Sequence, residues 1–362
     1  MKVLWLTGRS FDDLCSTTQM ELAKGLCEKG HLITMVNGDS TSVSDIPWEH
    51  HALNIKALKG TKTRRLGVAC AHHLQTMPPN STDVAIVEWR LLPYIVEELK
   101  KKNVPWALMD RSPPANHGIL ARLQWHGWKK AWKSAKKYEA PGFVVSPAHA
   151  KFVNRVIGKD DAVVIPAGVN LERFRPRKRR TTLTMVYHGR LDQNRGVLAL
   201  PMLAQKARSE GVEVDLILIG KGDAWIALNK IAENYAFIEL RESVSNLELA
   251  AILSECHVGL LPMPDQKIWR LASPLKRSEY LASGLVVFGI DHSGHRVSNI
   301  VAPYVQLCHQ TEFHTQGCSL LRKLAEESEY LSLQARLYAE EHLSWGNSVE
   351  IIEETLLSLT AD

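Results

Sequence analysis

LTMVYHGRLDQNRGVLALPMLAQKARSEGVEVDLILIGKGD, residues 183–223, places an apolar run, a glycine-bearing polar loop, an amphipathic stretch and a second apolar run in that order. Residues 183–187 predict a buried strand, 197–209 a helix and 214–219 another strand. Two strands joined by one helix lie parallel in a sheet whose faces are both covered. Working outward, 237–240, 258–261 and 286–290 extend the series, and from residue 310 onward the pattern is almost wholly helical. Upstream, strands are predicted at 3–6, 31–36, 84–89, 106–109, 142–145 and 163–165. A helix over 18–29 stops at Gly30, and a second surrounds 94–102. The fold class is therefore α/β, with two Rossmann-like doubly wound units in tandem facing a central cleft.

The chain has 362 residues, 45% hydrophobic and 23% charged, enough apolar material for two cores. The expected organisation is an N-terminal domain over 1–168, a polar basic linker over 169–182 and a second domain over 183–345. A final helix over 346–362 is expected to pack back toward the first domain. No window approaches the ~18 apolar residues of a spanning helix. The start MKVLWLTGRSFDD meets Asp12 and Asp13 too early for a signal peptide, so a cytoplasmic location is expected. Cys15, Cys27, Cys70, Cys256, Cys308 and Cys318 lie scattered and read as reduced thiols.

The net charge of +5 is unevenly spread. Residues 1–180 hold 29 basic and 16 acidic side chains, against 15 and 23 in the rest. A basic half suggests an anionic partner for one domain.

In the loop YHGRLDQNRG (187–196), Gly189 permits close backbone approach, and Arg190 and Arg195 bring two permanent cations. The guanidinium fork suits phosphate oxygens. In SPLKRSEYLASG (273–284), Ser273 is positioned to cap a helix that has Pro274 and Leu275 in its first turn. Lys276 would then stand near a positive helix end, where an anion makes it welcome. Glu279, one turn on, can accept from vicinal hydroxyls. An ordinary surface loop and an exposed amphipathic helix are the plain alternatives.

With VIPAGVNLERFRP (164–176), these segments resemble glycosyltransferase family 4, the retaining GT-B enzymes. P-x-G-V-N-x-x-x-F falls on Pro166, Gly168, Val169, Asn170 and Phe174. G-R-L-x-x-x-R-G falls on 189–196, G-x-G on Gly220 and Gly222, and P-L-K-x-x-E-Y-L-A-S-G on 274–284. HLSWGNSVE (342–350) is similar to the segment before the family's last helix. The resemblance implies a GT-B fold and transfer of a sugar from a nucleotide-diphosphate sugar to a hydroxyl acceptor, with no cofactor. It implies that Arg190 and Arg195 neutralise the diphosphate, and that Gly189, Gly220, Ser273, Pro274, Leu275, Lys276 and Glu279 line the donor site, Glu279 at the ribose. The family's proximal glutamate corresponds to Leu271, a departure shared by S-P-L-K variants. Asp265 is an alternative contact to the sugar or a solvated loop residue.

The N-terminal half departs further, having no Gly-Gly pair after its first strand. Arg9, Ser16 and Thr17 are candidates for acceptor or donor contact, with helix capping as the alternative for the hydroxyls. Asp110 and His117, after the strand at 106–109, are candidate catalytic residues. The pairs His50–His51 and His72–His73 are poor chelates, and no metal ligands are expected.

RLQWHGWKKAWKSAKK (122–137) puts Trp125, Trp128 and Trp132 on one helix face, flanked by Lys129, Lys130 and Lys133. That pattern is open to two readings, a helix lying in an anionic membrane interface and a core-facing aromatic stripe. With the basic run at 56–65, the first would bring a lipid-linked acceptor to the protein peripherally. No nucleic-acid motif is present. A GT-B sugar-nucleotide epimerase and a non-catalytic nucleotide-sugar scaffold are the rival functions.

Overall fold

The computed structural model describes residues 1–13, 16–58, 60–114, 119–297 and 302–361. The chain divides into one unit of Met1–Pro166 with Trp345–Asp362 and another of Ala167–Ser344.

The first unit runs β1 (Lys2–Leu6), α1 (Thr17–Glu28), β2 (Leu32–Asn37), β3 (Glu49–Ala52), α2 (Lys62–Thr76), β4 (Val84–Glu88) and α3 (Leu92–Lys101). It continues with β5 (Trp106–Asp110), α4 (Ile119–Lys137), β6 (Gly142–Val144), α5 (Pro147–Ile157) and β7 (Val163–Val164). Its seven strands are all parallel in the order β3-β2-β1-β4-β5-β6-β7. β4 and β5 are buried along their whole length, as strands covered on both faces must be. α5 starts where Ser146 accepts from the His149 N–H and ends at Gly158 in the left-handed region.

The second unit runs β8 (Leu183–Arg190), α6 (Ala199–Ser209), β9 (Val214–Lys221), α7 (Trp225–Ala232), β10 (Ile238–Arg241) and α8 (Asn246–Glu255). Then come β11 (Val258–Leu261), α9 (Lys267–Arg270), α10 (Leu275–Ala282), β12 (Val286–Ile290), β13 (Val305–Cys308) and α11 (Phe313–His342). The strand order is β10-β9-β8-β11-β12-β13, again all parallel. Residues 167–182 are part of this unit. Val169 bridges to Ser344, Phe174 is buried in its core, and Arg336 donates to the carbonyls of Leu171, Phe174 and Ala282.

The last helix, α12 (Trp345–Thr360), lies on α1 in the first unit. A Cβ at Gly25 would stand 2.4 Å from Val349, so only glycine lets the two helices come this close. Glu353 then reaches Lys29 at 2.6 Å and His31 at 2.8 Å. Among the described residues, no helix is long and apolar enough to cross a membrane.

Candidate functional site

The chemistry-bearing residues of the second unit meet where β8 and β9 end. Gly189 pairs in register with Gly220, at φ of +109° and +143°. A Cβ on Gly220 would lie 1.8 Å from the Gly189 carbonyl oxygen, and one on Gly222 would lie 2.2 Å from the Leu191 backbone. Glycine is thus obligatory where the two strand ends close together. The Leu191 N–H donates to the Lys221 carbonyl and the Gln193 N–H to Asp223 Oδ1, which fixes the loop that carries both arginines.

Arg190 is half exposed and donates twice to Asp192, each contact at 3.0 Å. The Arg195 guanidinium lies over the Trp269 ring at 4.6 Å, with its Nε 3.6 Å from Asp192. Burial pushes the Asp192 carboxyl up, but the two arginines outweigh it and hold the group below the usual carboxylate range.

Lys276 is buried in the first turn of α10. Its Nζ lies over the Tyr187 ring at 4.2 Å and donates to the Tyr187 hydroxyl at 3.2 Å. That hydroxyl in turn donates to the Arg190 carbonyl. A Cβ at Gly189 would stand 3.3 Å from the same Nζ. The turn of the chain at Gly189 therefore has the Lys276 amino group beside it and Arg190 following it. Such an arrangement can take a multiply charged anion.

α10 begins differently from the sequence expectation. Its N-cap is Pro274, with no side-chain cap. The Ser273 hydroxyl instead accepts from the Ala167 N–H at 3.3 Å, and Ser278 donates to the Ala167 carbonyl at 2.9 Å. Together they fasten the helix to the start of this unit. Pro274 and Leu275 are half-buried. Arg277, fully buried, donates to the carbonyls of Gly294 and Arg296, and desolvation pushes its pKa down to about 10. Glu279 is 7% exposed, and its Oε2 is buried without a hydrogen bond. Leu271, at the expected acidic position, is buried, while Asp265 is exposed and doubly bonded to Arg270.

The first-unit candidates fall in different places. Asp110, a candidate catalytic residue by sequence, does not reach the surface. It is fully buried, and its Oδ2 accepts from the indole N–H of Trp128 at 2.6 Å and of Trp132 at 2.8 Å. Trp128 and Trp132 therefore belong to the core, not to a membrane-facing surface. A buried carboxylate requires donors, and these indoles supply them. Trp125 is half-buried, edge-on to Trp128 and Phe152. Lys129, Lys130 and Lys133 are exposed. His117 lies outside the described residues. Ser16 is the N-cap of α1 but donates to the Phe11 carbonyl instead of capping, and Thr17 opens the helix half-buried.

Arg9 lines a small pocket at the C-terminal edge of the first sheet, where β1 and β4 diverge in connection direction. Such switch points are where open α/β sheets take ligands. Thr7, Gln19, Glu88, Arg111 and Ser112 line it too. Glu88 accepts from the Gly8 N–H at 2.7 Å and from Arg90 at 2.9 Å. Gln19 accepts from Thr7, while its amide Nε2 is buried without a partner. Sequence reasoning missed Glu88 and Gln19, as it missed Tyr187, His188, Asp192 and Trp269. Glu88 ends a fully apolar strand, a visible signal. The others carry no distinctive spacing.

Two Rossmann-like units, each built on one parallel sheet with these connections, define the GT-B fold of glycosyltransferases. The structure is similar to that of sucrose-phosphate synthase from Thermosynechococcus elongatus, with TM-score 0.80 and 14% identity over 100% of both chains. A glycosyltransferase from Rickettsia africae matches with TM-score 0.77 and 12% identity, over 99% of this chain and 98% of that one. HepE of Anabaena, solved in complex with UDP, matches at 0.73 and 13%, over 99% and 100%. No protein-family model matches the sequence, and no curated protein does.

Proposed function

We propose that the protein is a retaining glycosyltransferase of family 4 that moves a sugar from a nucleotide-diphosphate donor to a hydroxyl acceptor. The observation that carries this reading is the grouping in the second unit. Lys276 packs against the Gly189 turn next to Arg190, Arg195 shares Asp192 with Arg190, and α10 also bears a buried carboxylate oxygen with no hydrogen bond. A nucleoside diphosphate supplies the counterparts, phosphate oxygens for the cations and a ribose diol for Glu279. HepE, of the same fold, was solved with UDP.

In this reading Arg190, Arg195 and Lys276 bind the diphosphate and stabilise the charge that grows on it as the sugar C1–O bond breaks. The acceptor oxygen bonds to C1 on the same face, and its proton passes to the departing phosphate. No protein base is needed for that step, which agrees with Asp110 being sealed in the core. No metal or organic cofactor is invoked. We assign the acceptor side to the first-unit pocket at Arg9, Gln19 and Glu88, with Ser16 and Thr17 at the start of α1. The exposed Lys129, Lys130 and Lys133 support a peripheral, charge-based attachment to anionic membrane, and with it a lipid-linked acceptor.

Thermal-shift measurement with UDP, GDP, ADP and their sugars tests the donor assignment, because a ligand that binds only the native state raises apparent stability. A clear rise with one nucleotide family is expected. A flat response to all of them would remove the reading.

A further inference from the structure

His188 occupies the position just before Gly189, at the buried end of β8. Its Nε2 lies 3.1 Å from Glu279 Oε2, and the two side chains are 11% and 10% exposed. The imidazole is held from two sides. Its ring stands edge-on to Tyr280 at 5.2 Å, and its backbone N–H donates to the Tyr280 hydroxyl at 3.3 Å. Tyr280 is itself fully buried. Lys276, on the same helix, donates to the Tyr187 hydroxyl, and His188 is an ion-pair contact of Glu279. Yet the contact is misaligned, and neither His188 Nε2 nor Glu279 Oε2 completes a hydrogen bond.

A carboxylate this buried is costly without a donor. Polar contacts in unliganded sites are often close but poorly aligned and tighten only when ligand arrives. We infer that His188 is a positioning residue for the nucleotide site: its Nε2–H holds one oxygen of Glu279 and turns the other toward the ribose hydroxyls. The inference rests on the donor site proposed above. It adds a specificity role, discrimination of a ribonucleotide from its dideoxy analogue, that depends on a side chain outside the diphosphate cradle. The same strand end thus supplies the phosphate turn at Gly189 and the ribose selector one residue earlier.

Two variants separate hydrogen bonding from packing. His188→Gln keeps a donor near the Nε2 position, and His188→Met fills the space without one. The probe is whichever of UDP, GDP and ADP binds wild type, compared with its 2′,3′-dideoxy form by calorimetry. Wild type and His188→Gln should prefer the ribonucleotide by at least about tenfold, the size of one hydrogen bond to a charged group, and His188→Met should lose that preference. Inorganic pyrophosphate should bind all three alike. In wild type, the His188 imidazole nitrogen resonances should move with the ribonucleotide and stay in place with pyrophosphate, a readout that does not depend on either variant folding. Undiminished ribose preference in His188→Met, or equal resonance shifts with both ligands, would overturn the inference while leaving the donor site intact. Absence of binding by all three nucleotides to wild type would overturn both.

Discussion

The Trp128 indole donates to Asp110 Oδ2 at 2.6 Å, tying the middle of α4 to the end of β5. The same oxygen accepts from Trp132, and His149 Nε2 of α5 lies 3.2 Å away, so one carboxylate fastens two helices to the sheet. Burial pushes this carboxyl up, but His149 and the two indoles overcome it and hold the pKa below the ordinary value. A depressed folded value means stability that is present above the unfolded pKa and lost as pH falls through the folded one. Asp110→Ala leaves buried donors unsatisfied and should cost about 3–5 kcal/mol in urea unfolding. Acidification below about pH 4 should destabilise wild type more than Asp110→Asn. Parallel stability curves against pH for the two proteins would refute this role.

Gly189 holds φ at +109°, and a Cβ there would stand 3.3 Å from Lys276 Nζ. Gly189→Ala should lose about 1–3 kcal/mol of stability through backbone strain. By displacing Lys276 it should also weaken nucleotide binding about tenfold or more, the scale of one charge-assisted contact. Thermal unfolding and calorimetry read the two effects separately, and unimpaired binding would mean the turn does not shape the anion site.

Glu279→Gln keeps the volume of the side chain and removes its charge. Affinity for the cognate ribonucleoside diphosphate should fall, while affinity for inorganic pyrophosphate should not. An equal fall for both ligands would make Glu279 a support of the fold rather than a ribose contact.

Trp128 and Trp132 are held on Asp110, so the proposed membrane attachment through α4 draws on the exposed Lys129, Lys130 and Lys133. Co-sedimentation with anionic vesicles should decline as salt rises and vanish when Lys129, Lys130 and Lys133 are all changed to glutamate. Each such residue contributes about 1 kcal/mol near an anionic surface. Binding that ignores salt, or survives the triple change, would place the attachment elsewhere or assign it to apolar insertion.

The sheets were readable because β4, β5, β8 and β9 are long apolar runs that need cover on both faces. β3 was not, since its residues Glu49–Ala52 form a half-exposed edge with no such run. The tryptophan stripe shows a different limit. Helical spacing puts Trp128 and Trp132 on one face, but only the fold reveals that this face meets Asp110. Gly189 was legible as a glycine in a polar loop after an apolar run, whereas Gly220 and Gly222 were marked only by the family resemblance. Glu88 with Gly8 and His188 with Glu279 were not, because each pair is joined across some 80 to 90 residues of sequence by sheet topology. Ser273 has the sequence of a helix cap, but its hydroxyl accepts from the Ala167 N–H, 106 residues away in the chain.

In the proposed function the second unit grips a nucleoside diphosphate through Arg190, Arg195 and Lys276. Calorimetric titration of UDP, GDP and ADP into wild type, Arg195→Ala and Lys276→Ala tests it most directly. One nucleotide should bind wild type at least about tenfold more tightly than either variant, since charge-assisted hydrogen bonds contribute ~1.5–3 kcal/mol each. Equal affinity in the three proteins, or no binding of any nucleotide to wild type, would contradict the claim.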